Sequence, residues 1–157
     1  MVNDVSRAYF YAKCTRTIYI ELPPEDPDAH PDDLGRLRLC LYGTRDAALN
    51  WQQTLSEHLI ENSFTRSVGH PSVFHHKEKD IWTLVHGDDY CRAGASPDLD
   101  WLQNILEKRY EIKSQRIGEG KDGKGVQKMF EGQVLNRIIR HTRDAMSLKP
   151  IFDMRSS

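Results

Sequence analysis

The chain has 157 residues, 38% of them hydrophobic and 29% charged, with a formal net charge of −1. That length suits one domain with a real buried core, and the composition excludes an intrinsically disordered chain. No apolar run approaches the roughly 20 residues of a membrane span, and "MVNDVSRAYF" lacks the basic-then-apolar pattern of a secretory signal, so an intracellular protein, cytoplasmic or nuclear, without a membrane partner is expected.

The first residues already read as structure. Residues 3–10 have the pattern of a packed strand, which is what a fragment of a longer protein would show. "RTIYIEL" alternates Ile18, Ile20 and Leu22 with Tyr19 and Glu21, as a half-buried strand does. The Pro- and Asp-rich stretch after it is a loop. "GRLRLCLYG" alternates Leu37, Leu39 and Leu41 with Arg36, Arg38 and Cys40, a second extended stretch. The period then changes: Ala48, Trp51, Leu55 and Leu59 recur at helical spacing, which predicts a helix over 44–62 with Asp46 in its first turn. In that helix Trp51 reads as core rather than as a base-stacking platform.

"SVFHHK" and "DIWTLVH" read as strands, and "GDD" as a tight turn into "YCRAG". Ser96 is a good N-cap and Pro97 suits the first helical position, so a second helix is predicted over 97–109 with Leu99, Leu102 and Leu106 as its apolar stripe. "YEIKSQ" is extended, residues 118–125 form a flexible Gly/Lys loop, and "VQKMFEGQVLNRIIR" is a strand pair or one bent strand. Mixed order with short strand-to-strand connections favours an α+β fold, an antiparallel sheet with helices packed on one face.

Cys14, Cys40 and Cys91 are odd in number, far apart and in no CxxC pair, which points to free thiols rather than a disulfide framework or a zinc site. Charge is unevenly distributed. Residues 21–33 hold six acidic residues and no Lys or Arg, whereas 108–149 hold eleven basic residues against five acidic. The basic stretch is either an ordinary solvated face or a surface for a polyanion.

The adjacent Asp88 and Asp89 likewise have two readings. One is a polar hairpin turn. The other is a divalent-metal site, since Mg²⁺ takes oxygen ligands from one or two carboxylates together with substrate phosphates. Asp4, at the edge of an apolar segment, is a candidate for a further carboxylate.

Seven segments, in order, resemble the reverse transcriptases of copia-type retrotransposons. "DVSRAYF" resembles their first catalytic motif, and "GDD" sits where they carry an x-x-Asp-Asp hairpin. "IYIELPP", "RLRLCLYGTRDAALNW" and "HLIENSFTRSVGHPSVF" resemble intervening segments, and "LEKRYEIKS" and "MFEGQVL" resemble those that follow. The resemblance runs from Asp4 to about Arg140 and implies a polymerase palm over 1–150, with 151–157 as a tail. It implies RNA-directed DNA polymerisation, with Asp4, Asp88 and Asp89 as catalytic residues and ligands of two Mg²⁺ (or Mn²⁺) ions, Asp89 in support. It assigns nucleotide contacts to Tyr9, Gly43 and Lys113, with Lys113 as proton donor to pyrophosphate, and primer contacts to Phe130 and Gly132. Implied partners are an RNA or DNA template-primer, deoxynucleoside triphosphates, and the fingers, thumb and ribonuclease H of a polyprotein.

The sequence also departs from that family. His86 and Gly87 replace Tyr and a small apolar residue before the two Asp, Arg45–Asp46 replaces Lys-Gln, and the 118–125 loop is longer. Three other readings stand beside the polymerase: an inactive element remnant, a nucleic-acid-binding module built on 108–149, and an unrelated phosphohydrolase, for which His75–His76 is the only close His pair.

Overall fold

The structure, a computed structural model, describes residues 1–27, 30, 32–134, 137–142 and 145–150, the last stretch by its backbone. The expected tail at 151–157 lies outside the described residues. The chain divides into two compact units, Met1–Ser6 with everything from His58 onward, and Arg7–Glu57.

The larger unit is built on a six-stranded sheet. Its strands are β1 (Val2–Val5), then, after two strands of the smaller unit, β4 (Phe64–Arg66), β5 (Val73–His76), β6 (Ile81–His86), β7 (Asp89–Ala93) and β8 (Ile112–Gln115). The order is β4-β5-β6-β7-β1-β8, and every pairing is antiparallel. Strand β1 therefore lies between β7 and β8, far from both in sequence. Alternation explains why the sheet has an inner and an outer face. In β6, Ile81, Thr83 and Val85 are buried while Trp82, Leu84 and His86 are exposed. Helix α2 (Ser96–Glu107) packs on the inner face through Leu99, Leu102 and Leu106, and its Trp101 meets the His76 ring edge-on at 5.2 Å. Phe74, Ile81, Val85 and Tyr90 complete the buried apolar set beneath it. A smaller sheet, ordered β11-β10-β9, is made by β9 (Glu131–Val134), β10 (Arg137–Thr142) and β11 (Ala145–Pro150). Its Val134 and Ile139 pack on Val2 and Cys91 and so cover part of the outer face. The class is the expected α+β.

The smaller unit holds a 3-10 turn (Ala8–Tyr11), the two-stranded ladder β2 (Tyr19–Glu21) and β3 (Leu34–Arg36), and most of α1 (Ala47–Glu61). Trp51 and Leu55 are fully buried there with Ala8, Ala12 and Cys40, so Trp51 is core. All three cysteines are free.

Several local expectations are corrected. The strand expected over 3–10 ends at Val5, because Arg7 takes a left-handed conformation (φ 55°) and starts the 3-10 turn. Helix α1 begins at Ala47 rather than 44, so Asp46 precedes its first turn and accepts the Asn50 N–H through its carbonyl. The N-cap of α2 is Ala95, and Ser96 is already helical. The hydroxyl of Ser96 instead accepts a hydrogen bond from Lys128 at 2.7 Å. The apolar alternation 37–41 does not face a core: Leu39 and Leu41 are exposed and Cys40 is buried. The Gly/Lys loop is tied down, with Asp122 accepting from the Lys124 and Val126 N–H groups and Lys124 bound to Glu107 on α2.

Candidate functional site

The Gly-Asp-Asp hairpin joins β6 to β7 through Gly87 and Asp88. Gly87 carries φ of 62°, which a two-residue loop of the II′ type requires at its first position. The buried Tyr90 secures the turn from the inner face, its hydroxyl donating to the Gly87 carbonyl at 3.2 Å. The turn thus ends with Asp88 in the loop and Asp89 as the first residue of β7.

Strand register places the other charges. Asp89 lies opposite Asp4 on β1, Asp4 lies opposite Lys113 on β8, and His86 lies opposite Asp89 on β6. Directly paired residues share a face, so His86, Asp89, Asp4 and Lys113 form one row across four strands on the outer face. Asp88 adjoins the row in the turn. The next row on that face is Leu84, Cys91, Val2 and Gln115. The residues that the sequence placed some 85 positions apart are therefore neighbours.

The row is electrostatically unbalanced. Burial, then the charges of Asp88 and Asp4, push the Asp89 carboxyl above the usual carboxylate range, and His86 opposes that shift. Among the described residues none of the three carboxylates forms a salt bridge. Hard oxygen donors that repel one another and lack a paired cation suit a divalent ion such as Mg²⁺ or Mn²⁺. Their side chains are not drawn together here: among the described residues no group of three His, Cys, Asp or Glu is poised to hold a metal. The chemistry of the donor set fits the ions, and the carboxylates must turn toward one another to bind them.

A polar network on the inner face supports the row. Asn3, Tyr90 and Arg92 point the opposite way from Asp4 and Asp89. Arg92 is 2% exposed, donates to Asn3 Oδ1 and lies 5.0 Å from the Tyr90 ring centroid. Burial lowers its guanidinium to about 10. Asn3 donates in turn to Ser114 Oγ at 2.5 Å. One chain of side chains thus links β7, β1 and β8, the three strands that carry Asp89, Asp4 and Lys113. The sequence reading missed Asn3 and Arg92. The available signal was alternation, which sets Arg92 on the face of Tyr90 rather than of Asp89.

Tyr9 and Gly43 belong to the smaller unit. The Tyr9 ring lies against Tyr42, tilted by 35° with centroids 4.3 Å apart, and Phe10 meets Tyr42 edge-on. Gly43 follows Tyr42 at the third position of a type II turn, with φ of 89° and Thr44 N–H bonded to Leu41 carbonyl. The positive φ requires glycine there, and no heavy atom lies within 4 Å of where a Cβ would stand. Phe130 is 63% exposed and its carbonyl accepts the His141 N–H. Gly132 is buried, and a Cβ there would come within 2.7 Å of Ile117. The replacement at Asp46 is locally compensated: Arg16 Nη2 bonds its carboxylate at 2.7 Å and, first among the causes, holds it below the usual carboxylate range.

The basic stretch 108–149 is partly neutralised within the larger unit. Arg109 pairs with Glu61, Arg116 with Asp100, Lys124 with Glu107 and Arg140 with Glu131. No helix among the described residues is long and apolar enough to cross a membrane.

No family model matches the chain, and no solved structure matches it. It is similar to transposon polyproteins of Saccharomyces cerevisiae. It is 34% identical over 121 residues to the transposon Ty1-DR1 Gag-Pol polyprotein, which covers 74% of this chain and 7% of that protein. Identity to the Ty1-NL2 Gag-Pol polyprotein is 34% over 120 residues, covering 74% and 6%. Identity to the truncated transposon Ty1-A Gag-Pol polyprotein is 33% over 120 residues, covering 74% and 10%. The chain spans a tenth or less of these relatives. The similarity supports an origin in a copia-type retrotransposon polyprotein.

Proposed function

We propose that the chain is the palm of a copia-type reverse transcriptase, contributing templated addition of deoxynucleotides to a primer 3′-hydroxyl within a larger polyprotein. The observation that carries this reading is the register that sets Asp4 between Asp89 and Lys113, with Asp88 in the adjoining turn. Similarity to part of the Ty1 Gag-Pol polyproteins supports it.

Asp4, Asp88 and Asp89 would hold two Mg²⁺ or Mn²⁺ ions, which when bound activate the primer hydroxyl and neutralise charge on the triphosphate. The chain's own residues do the positioning on which phosphoryl transfer depends. The antiparallel ladder fixes the backbones of Asp4 and Asp89, and the Asn3–Arg92–Ser114 network holds that ladder from behind. Lys113, opposite Asp4 on β8, would serve as the proton donor to departing pyrophosphate. Tyr9, braced by Tyr42, offers the flat ring that would close on a sugar.

The test is Mn²⁺- or Mg²⁺-dependent extension of oligo(dT) on poly(rA). It is run with the chain itself, with a longer polyprotein form that includes it, and with Asp88→Asn in each. Extension by the longer form, reduced more than about a hundredfold by Asp88→Asn, is the expected result. Extension by neither form overturns the polymerase reading in favour of an inactive remnant, with His86 and Gly87 as the sites of damage.

A further inference from the structure

The smaller unit contains a second charged feature that the carboxylate row does not use. A cavity of about 460 Å³ is lined by Lys13, Cys14, Arg36, Leu37 and Arg38. Three of its five lining residues are cationic and none is acidic. The backbone builds it: Lys13 bridges Leu39 in antiparallel fashion, Cys14 N–H bonds the Arg38 carbonyl, and Arg36 ends β3 opposite Tyr19. Two chain segments thus bring together cations from "AKC" and "GRLRL".

Among the described residues none of the three cations is paired with a carboxylate, whereas Arg16 in the same unit is taken by Asp46. Glu21, on the strand paired with β3, lies opposite Leu34 and leaves Arg36 free of an ion pair. Six other Lys and Arg residues among those described are bound to carboxylates. Three cations held unpaired around one cavity create a local field that attracts anions. Guanidinium groups in particular match phosphate oxygens through two parallel hydrogen bonds.

We infer that Lys13, Arg36 and Arg38 form a phosphate-binding cleft that grips the backbone of a single nucleic-acid strand. Two arginines and a lysine from separate segments suit a run of phosphates, one cation to each, and contacts of this kind position a strand without reading its sequence. The inference takes its probe from the proposed function but does not depend on catalysis, so it is tested in EDTA, where the carboxylate row is silent.

The experiment is fluorescence anisotropy of a labelled 20-nucleotide oligo(dT) against salt concentration. It compares the chain with K13Q/R36Q/R38Q, with R36K/R38K, and with K108Q/K121Q/R137Q as a charge-matched control. Each single-strand phosphate contact contributes a slope of about 0.7 in log affinity against log salt. The cleft triple variant is expected to lower the slope by about 2 and the affinity at low salt by more than about tenfold. R36K/R38K keeps the charge and most of the binding. All three cleft residues are exposed, and circular dichroism checks that each variant remains folded. Competition by deoxythymidine triphosphate and by inorganic pyrophosphate separates the sources of phosphate. Displacement of the oligonucleotide by either at equal phosphate concentration assigns the cleft to a free phosphate ligand and overturns the strand-binding proposal. Equal losses in the control triple, or an unchanged slope in the cleft triple, overturn it as well. Oligonucleotide binding that survives when primer extension fails leaves this inference standing and the catalytic reading refuted.

Discussion

Replacing Asp89 by Asn tests the electrostatic reading of the row without requiring catalysis. Asp89 faces Asp4 across the ladder and adjoins Asp88, and both charges raise its carboxyl after burial. Like charges directly opposite in a sheet cost about 0.2–1 kcal/mol. Asp4 is exposed and Asp88 and Asp89 are half-buried, so the lower half applies, about 0.5 kcal/mol for each neighbour and about 1 kcal/mol in all. For a chain of 157 residues, Asp89→Asn in EDTA at neutral pH should raise Tm by about 2–4 °C. The sign of the pH dependence follows from the raised pKa. The folded state binds the Asp89 proton more tightly than the unfolded state, so the penalty is full above the folded pKa and is relieved as pH falls through it. The advantage of the variant should therefore shrink on acidification. Mn²⁺ at ten times its dissociation constant stabilises the native chain by about 1.4 kcal/mol, and the variant should lose most of that gain. Differential scanning fluorimetry over pH, with EDTA or Mn²⁺, reads all three effects. A variant less stable than the native chain in EDTA, or an undiminished Mn²⁺ response, would refute the reasoning.

Two further outcomes are expected of the larger unit. His58 accepts a bond from Arg109 at Nδ1 (3.0 Å) and packs edge-on against Tyr110, and burial, then Arg109, lowers its pKa despite Glu61 nearby. Its stabilising contribution is full above the unfolded value near 6.5 and is lost as pH falls toward the folded value, so His58→Gln should flatten the urea-midpoint profile below that pH. Gly132→Ala should destabilise by about 1–3 kcal/mol, because its Cβ meets Ile117; adding Ile117→Val should recover much of the loss in urea unfolding, and no recovery would place the constraint in the backbone instead.

The helices and the β6–β7 hairpin were legible because their signals are local. Leu55 and Leu59 repeat at the helical period and β6 alternates residue by residue. The misses have local causes too. Arg7 adopts a left-handed conformation that sequence announces only for Gly, and sometimes Asn or Asp. The three residues of β4, after Ser63 in a similar conformation, are too short to show a period. Alternation in 37–41 named the wrong side because the stretch bends after β3 and the buried position falls to Cys40. The largest gap is topological. Nothing near Asp4 says that β1 inserts between β7 and β8, since strand order is set by contacts across about a hundred residues.

That topology bears on the choice between a metal site and a mere turn. A polar hairpin needs Gly87 and one acid, and Asp88 alone satisfies it. It does not require a second acid at the start of β7, nor a third on the strand beside it. The fold accepts both, and among the described residues it assigns neither a pairing cation, while on the other face it buries Arg92 against Asn3 without a carboxylate. An arrangement selected only for stability would bring such charges together. The sheet instead keeps a cation locked on the inner face and leaves the carboxylates to compete on the outer one. That separation is costly to the isolated chain, and on the proposed reading a cation arriving from solution offsets the cost.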